Sequence, residues 1–297
     1  MNAQSGGVRR DRLPSAFRMI IGVTAVLVAG IMFSGCASWV PTVNTTFDIP
    51  AEVVRDEWAR MHRDPKGLAR PLVVLNGYRA PGLTGWIIGY RLRMLTGGSQ
   101  EDVMFMSYPL SDNIDDLARR VVRNVEQRWP SDDPLWTREV DVIGVSMGGL
   151  VARLAASDIL QRADKDRSGI NGGAPIKRLN AKHLFTLGTP HKGAKLASFI
   201  AVDRASRRMR PGSDFLKVLD EALADAPYEL ICYARLNDMM VGATNTAPDG
   251  HQPIWTGNVF FLPHITITND ARITLDIARR LRGEEPLATG TMQPPRD

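Results

Sequence analysis

Short continuous apolar runs, each bounded by turn-forming residues, recur along the chain. Runs of this kind are typical of strands that are buried on both faces of a parallel sheet. The pattern predicts six strands, at residues 71–75, 102–109, 139–145, 182–190, 228–238 and 258–263.

Segments with apolar residues three to four positions apart lie between these runs and predict amphipathic helices. They cover residues 51–63, 85–95, 114–129, 149–161 and 270–283. Strands that alternate with helices indicate an α/β fold, with a mostly parallel sheet of about six strands and helices on both faces. Residues 192–227 contain helix-like pieces but no strand, and are expected to form a small helical lid insertion.

The amino-terminal region has the pattern of an export signal. Arginines precede an apolar run from Met19 to Gly35, and Cys36 follows. This order predicts a signal peptide over residues 1–35. The stretch Phe33 to Cys36 resembles a bacterial lipobox, so Cys36 is expected to carry lipid and to hold the protein at the outer membrane or cell surface. The alternative is a signal anchor that stays in the inner membrane.

The other boundaries follow from composition. Residues 36–50 are unpatterned and predict a tether, residues 51–283 form the folded domain, and residues 284–297 are expected to be a disordered tail. The 297 residues are 44% hydrophobic and 23% charged, as in ordinary globular domains.

Charge and cysteine content argue against a nucleic-acid-binding protein and against a disulfide-bonded one. The formal charge is +5, and it falls to +2 without residues 1–35, which hold four arginines and one aspartate. A nearly neutral mature chain gives no reason to expect a nucleic-acid partner. Only two cysteines are present, and Cys232 lies in an apolar run as a buried small hydrophobe, so no disulfide is expected.

Candidate chemistry is concentrated where the predicted strands end. Ligands of open parallel sheets bind at the carboxyl ends of the strands. The residues found there are Asn76–Tyr78, Ser146–Gly148, Thr189–His191, Asn237–Asp238 and His264.

Ser146 is the candidate nucleophile. It lies between Gly144 and Gly148 in the pattern G-x-S-x-G, after a buried strand and before a small-residue helix. Such a turn is sharp enough to exclude side chains at both glycines, and it projects the serine hydroxyl out of the sheet. The alternative is a structural turn serine.

A serine nucleophile needs a base and an orienting acid. Of the five histidines, His264 follows the last predicted strand, where the chain order serine, acid, histidine places the base. His251 and His191 are the alternatives. Asp238 ends the fifth strand and is the predicted acid, unless it only caps a turn; Asp249 is the second candidate.

Two backbone N–H groups are expected to form the oxyanion hole. Met147 follows the nucleophile and supplies one, and Tyr78, in the loop after the first strand, supplies the other. Asn76 is predicted to brace that loop. Neither a metal ion nor a cofactor is expected.

These motifs together resemble a known family. The segments VVLNGY, GVSMGGLVAR, LGTPHKGA, RLNDMMV and LPHITI are similar to those of α/β-hydrolases of the bacterial lipase and esterase type, close to the triacylglycerol lipase and PGAP1-like group, over about residues 70–282. Asn76 and Val145 stand where many relatives have histidine. The resemblance implies ester hydrolysis through an acyl-enzyme, with Ser146, Asp238 and His264 as the triad.

The resemblance leaves the substrate open. Lipids or acyl esters are the expected class, while thioesters, amides and acyl transfer are compatible with the same triad. A non-catalytic envelope lipoprotein is the remaining alternative. Apolar residues of the insertion, such as Phe199, Ile200, Phe215 and Leu219, either pack on the core or form an acyl-chain wall. Its arginines, Arg204 to Arg210, form a solvated face or contact an anionic membrane.

Overall fold

The computed structural model describes residues 42–80, 82–168, 177–257 and 262–295. Within these ranges six strands form one sheet. They are β1 (Leu72–Leu75), β2 (Val103–Met106), β3 (Val140–Val145), β4 (Ala181–Leu187), β5 (Glu229–Arg235) and β6 (Ile254–Thr256). The predicted signal peptide and Cys36 lie outside the described residues.

Helices connect the strands and flank the sheet. Those before the fourth strand are α1 (Ala51–Arg63), α2 (Leu83–Thr96), α3 (Ile114–Arg128), α4 (Met147–Ala156) and α5 (Ile159–Ser168). Those after it are α6 (Lys195–Phe199), α7 (Arg204–Arg208), α8 (Asp214–Glu221), α9 (Pro263–Thr266) and α10 (Ala271–Leu281). In the described part of the chain, no helix combines the length and the apolar character needed to cross a bilayer.

The sheet is all parallel, in the order β2-β1-β3-β4-β5-β6. This confirms the predicted α/β fold class, with a parallel sheet of six strands and helices on both faces. The strand order reverses beside β1, because β2 lies on one side of it and β3 on the other. The loops after β1 and β3 therefore leave the sheet in opposite directions and open a crevice between them, the usual ligand position in such sheets.

Strand residues alternate between two helical layers. Val73 and Leu75 pack into the core that also contains the buried faces of α3 and α4. Leu72 and Val74 pack on the opposite side, with α1, α2 and α10. Because both faces of β1 and β3 are covered, every residue of these strands is buried, which explains their continuous apolar runs.

The position of the last strand differs from the prediction. The sequence placed it at residues 258–263, whereas β6 is Ile254–Thr256, paired with β5 through Tyr233 and Ile254. Residues 258–261 lie outside the described residues. The hydrophobic pattern did not indicate β6, because this edge strand has three residues and is too short to give a periodic signal. A longer apolar run follows it in the sequence.

Both ends of the described chain pack on the domain. Phe47, in the predicted tether, is buried in the core. The predicted tail after α10 is held by hydrogen bonds from Ala288 N to Asp276 Oδ1 at 2.8 Å and from Trp255 Nε1 to Met292 O at 3.1 Å. These bonds join the polar, proline-rich segment to buried partners on other elements, and the disordered tail stays a prediction.

The insertion between β4 and β5 is helical, as predicted, and has two parts. Helix α8 buries Leu216 and Leu219 in the main core, so its apolar stripe packs on the domain. The segment Phe199–Val202 is different, because Phe199 is 84% exposed and Val202 is 72% exposed. The insertion thus contributes both to the core and to the apolar surface.

Candidate active site

Ser146 lies in a strained turn between β3 and α4. Its backbone has φ 52° and ψ −125°, outside the regions that most residues adopt. A Cβ at Gly144 would lie 2.4 Å from Gly149 Cα, and one at Gly148 would lie 2.3 Å from Leu75 O. Both contacts are with backbone atoms, so both positions require glycine for the turn to form.

Thr189 braces this turn from the neighbouring strand. Its hydroxyl donates to Ser146 O at 2.8 Å and lies 3.4 Å from Gly144 O. A Cβ at Gly149 would come within 2.3 Å of the same hydroxyl. The sequence placed Thr189 among the residues after strands but gave it no role, since a threonine there shows no motif of its own.

The structure brings Ser146, His264 and Asp238 together. His264 Nε2 is 3.0 Å from Ser146 Oγ, and His264 Nδ1 is 2.7 Å from Asp238 Oδ2. A carboxylate can only accept, so Nδ1 carries the proton and Nε2 presents its lone pair to the serine hydroxyl. This is the arrangement in which an imidazole acts as a general base.

Asp238 has two separate sets of partners. Its Oδ1 accepts from the backbone N–H groups of Met240 and Val241, each at 3.0 Å, while Oδ2 faces His264. The sequence treated a turn aspartate and a triad acid as alternatives, and the side chain has the geometry of both. Because these bonds satisfy the carboxylate, its burial to 1% exposure is tolerable.

The other candidate bases and acid lie elsewhere. His251 is exposed and contacts Asp249 O at 3.3 Å. Asp249 pairs with Lys192 in solvent, at 2.9 Å. His183, at the amino end of β4, bonds Asp141 at 2.7 Å. None of these contacts is with Ser146.

His191 is fully buried beneath the site. Arg153 Nη1 lies 2.9 Å from its Nδ1, and Thr186 Oγ1 lies 3.1 Å from its Nε2. Burial, with the guanidinium beside it, holds the pKa of His191 well below its usual range. Arg153 Nη2 also donates to Leu219 O at 2.7 Å and Asp220 Oδ1 at 2.8 Å, so this cluster joins α4 to α8.

The loop after β1 passes directly beside the serine. A Cβ at Gly77 would lie 3.0 Å from Ser146 Cβ. Tyr78 follows, and no hydrogen bond within the described residues uses its N–H. Met147 is the first residue of α4, where N–H groups have no acceptor within the helix. One predicted oxyanion donor therefore lies in the loop after β1 and the other at the start of α4.

Asn76 holds this loop in place, as expected. Its Oδ1 accepts from Gly85 N at 2.8 Å, and its Nδ2 donates to Met106 O at 3.1 Å. The side chain is buried and connects the end of β1 to α2 and β2.

Backbone strain is concentrated around the site. Within the described residues, four non-glycine residues have positive φ, namely Arg79, Ser146, Asn237 and Leu262. Each is a candidate site residue or lies within two positions of one. Such conformations cost roughly 1–3 kcal/mol each and cluster where a function requires them.

Comparisons with known proteins found similarity among solved structures. No protein-family model matches the chain, and no curated protein sequence matches it significantly. The mature form of Bacillus licheniformis lipase BlEst2 has a TM-score of 0.47 and 15% identity, over 73% of this chain and 94% of that one. Its propeptide form has a TM-score of 0.49 and 16% identity, over 75% and 52%. The Legionella pneumophila phospholipase PlaB has a TM-score of 0.42 and 14% identity, over 57% and 40%. At this level of similarity, the function has to be inferred from the geometry of the site.

Proposed function

We propose that the protein is a serine hydrolase that cleaves carboxylic esters through an acyl-enzyme. The observation that carries the proposal is the hydrogen-bonded series from Ser146 through His264 to Asp238, with distances of 3.0 and 2.7 Å. Each of the three follows a strand at the same edge of the sheet. A buried carboxylate, an oriented imidazole and a half-buried serine hydroxyl together make a serine nucleophilic.

The residues have different tasks in the proposed reaction. His264 Nε2 takes the proton as Ser146 Oγ attacks the ester carbonyl, and Asp238 stabilises the resulting imidazolium. The N–H groups of Tyr78 and Met147 donate to the oxyanion. His264 then protonates the leaving alcohol, and in the second half it activates the water that releases the acid.

The surroundings of the serine favour an ester with an apolar acyl group. A groove of about 350 Å³ extends from Asn76 along Leu83, Trp86 and Phe105. Exposed apolar side chains also occur in the segments that follow the strands, and we name them the apolar rim. They are Leu83, Trp86, Leu110, Phe199, Ile200, Val202, Met239, Met240 and Ile265. A rim of this kind fits a lipid better than a small polar ester.

Covalent labelling and hydrolysis test the reaction. The wild type is expected to react with a fluorophosphonate probe and to hydrolyse p-nitrophenyl esters, and Ser146→Ala is expected to do neither. Loss of a triad member typically lowers kcat by about 10⁴- to 10⁶-fold. Faster turnover of long-chain than short-chain esters would support a lipid substrate. Absence of labelling in a folded wild type would contradict the proposal.

The assignment of the base has its own control. His264→Ala should abolish activity, while His251→Ala, at an exposed position, should retain it. The reverse result would overturn the assignment.

We further propose that the protein is exported and anchored through lipid on Cys36. An acyl chain combined with a basic patch makes membrane attachment stable, and Arg204, Arg207 and Arg210 are exposed beside Phe199–Val202. Mass spectrometry of the mature amino terminus should find diacylglyceryl on Cys36. An intact Met1 would contradict cleavage and support the signal anchor.

A further inference from the structure

One carboxylate from the insertion binds two consecutive residues of the oxyanion loop. The Tyr78 hydroxyl donates to Asp203 Oδ2, and Arg79 Nη2 donates to the same oxygen at 3.0 Å. Asp203 is 125 residues from Tyr78 in the sequence, so this contact exists only in the folded chain. The Asp203 side chain is 11% exposed and the bond from Tyr78 is partly buried, whereas the Arg79 side chain is 55% exposed.

Asp203 is itself fixed by the start of α7. Its Oδ1 accepts from Ser206 N at 2.9 Å and from Ser206 Oγ at 2.8 Å, and Ser206 Oγ accepts from Asp203 N at 3.0 Å. This is a capping box. The two carboxylate oxygens therefore have different tasks, since Oδ1 caps the helix and Oδ2 holds the loop.

The loop needs such a restraint. Arg79 has φ 50°, a conformation that costs a non-glycine residue roughly 1–2 kcal/mol and persists only where the surroundings hold it. The residue before Tyr78 is Gly77, which does not restrict the backbone. Within the loop, the Ala80 N–H bond to Gly77 O is long, at 3.3 Å. The bonds to Asp203 Oδ2 thus restrain both residues that follow Gly77.

We infer that Asp203 is a positioning residue for the oxyanion hole, which holds the Tyr78 N–H toward the oxygen that becomes charged during the reaction. This inference rests on the proposed function, and it gives the insertion a role in positioning the oxyanion loop. An N–H donor contributes its full effect only if it is already oriented when the charge develops. Asp203 never touches the ester, so its effect is expected on kcat more than on KM.

Three single variants separate this role from helix capping. Tyr78→Phe removes only the hydroxyl. Asp203→Ser keeps a good cap residue but is too short to reach Tyr78 and Arg79. Ser206→Ala weakens the capping box and leaves Oδ2 in place.

Steady-state hydrolysis of a p-nitrophenyl ester provides the readout. Loss of a whole oxyanion donor costs about 10²–10³ in kcat, so its misorientation in Tyr78→Phe or Asp203→Ser is expected to cost about 10- to 100-fold. KM is expected to stay within about twofold. The double variant Tyr78→Phe with Asp203→Ser should be no slower than the slower single variant, because both changes break the same contact between Tyr78 and Asp203. Ser206→Ala should lower the melting temperature and keep the wild-type kcat.

The outcomes distinguish this inference from the proposed function. Wild-type kcat in Tyr78→Phe and Asp203→Ser would overturn the inference while the probe still labels Ser146. An equal loss of kcat in Ser206→Ala and Asp203→Ser would also overturn it, because the effect would then come from the cap. A folded wild type that neither labels nor hydrolyses would overturn both proposals.

Discussion

Gly188 lies against the imidazole of His264, on the side that faces Asp238. A Cβ at Gly188 would lie 3.2 Å from His264 Nδ1 and 3.3 Å from Cε1. Gly188 also has φ 58°. The segment directly after β4 thus leaves little room for a side chain between itself and the imidazole.

Gly188→Ala is therefore expected to reduce activity more than stability. The new methyl group would displace the imidazole, and a loss of 1.4 kcal/mol of transition-state stabilisation is tenfold in rate. We expect kcat/KM for a p-nitrophenyl ester to fall at least about tenfold. Gly67→Ala is the matched control, since Gly67 has φ 77° with no atom near a Cβ. It should lose similar stability, by about 1–2 kcal/mol, and keep its activity. Equal activity in the two variants would contradict the proposed restraint.

Asn76→Ala is expected to destabilise the fold strongly. It leaves the buried Gly85 N–H without its acceptor, which costs about 1–3 kcal/mol, and it removes one of the two hydrogen bonds that Met106 O accepts from residue 76. Urea unfolding should show a decrease of roughly 2 kcal/mol or more. Thr84→Ala is the control, because it removes one hydrogen bond of 3.2 Å to the same side chain. A decrease below that of Thr84→Ala would show that Asn76 does not brace the loop.

His191 is expected to make the protein less stable in mild acid. Its native pKa is depressed by burial and by Arg153, whereas the unfolded chain takes up this proton below about pH 6.5. Stability is thus complete above about pH 6.5 and is lost as the pH falls below it, by up to about 1.4 kcal/mol per pH unit.

Urea unfolding at pH 7.5 and 5.5 measures this effect. The wild type should lose about 1.4 kcal/mol more than His191→Asn over this interval, because asparagine does not titrate. Parallel losses in the two proteins would contradict the predicted linkage.

Removal of residues 286–297 is expected to destabilise the domain. It breaks the bond from Ala288 N to Asp276 and leaves the buried Trp255 indole N–H without Met292 O. Two such losses cost roughly 2 kcal/mol or more, which lowers the melting temperature by about 4–8 °C. A shorter truncation of residues 295–297 should leave the melting temperature unchanged. Equal melting temperatures for the two truncations would support the disordered tail predicted from sequence.

The positions of Ser146, Asp238 and His264 could be predicted because of the parallel sheet. Parallel strands end at one edge, so residues that follow separate apolar runs meet in space although they are far apart in sequence. The geometry of the serine turn could also be predicted, because a side chain at Gly144 or Gly148 would collide with nearby backbone atoms.

Contacts between the insertion and the sheet could not be predicted in this way. Asp203 meets Tyr78, and Arg153 meets His191 and Leu219, through the packing of short helices that follow no sheet register. The positive φ values of Arg79 and Leu262 were equally hidden, because their side chains disfavour that conformation and only tertiary contacts impose it.

The hydrogen bonds of Arg153 anchor one part of the insertion, helix α8, to the domain. If α8 swung outward, the buried guanidinium would lose Leu219 O and Asp220 and keep its contact with His191, and breaking a buried ion pair costs about 3–5 kcal/mol. Helix α8 is therefore expected to keep its position and not to move as a lid. The segment Phe199–Val202 has no comparable anchor among the contacts of Arg153, and its apolar side chains lie in solvent.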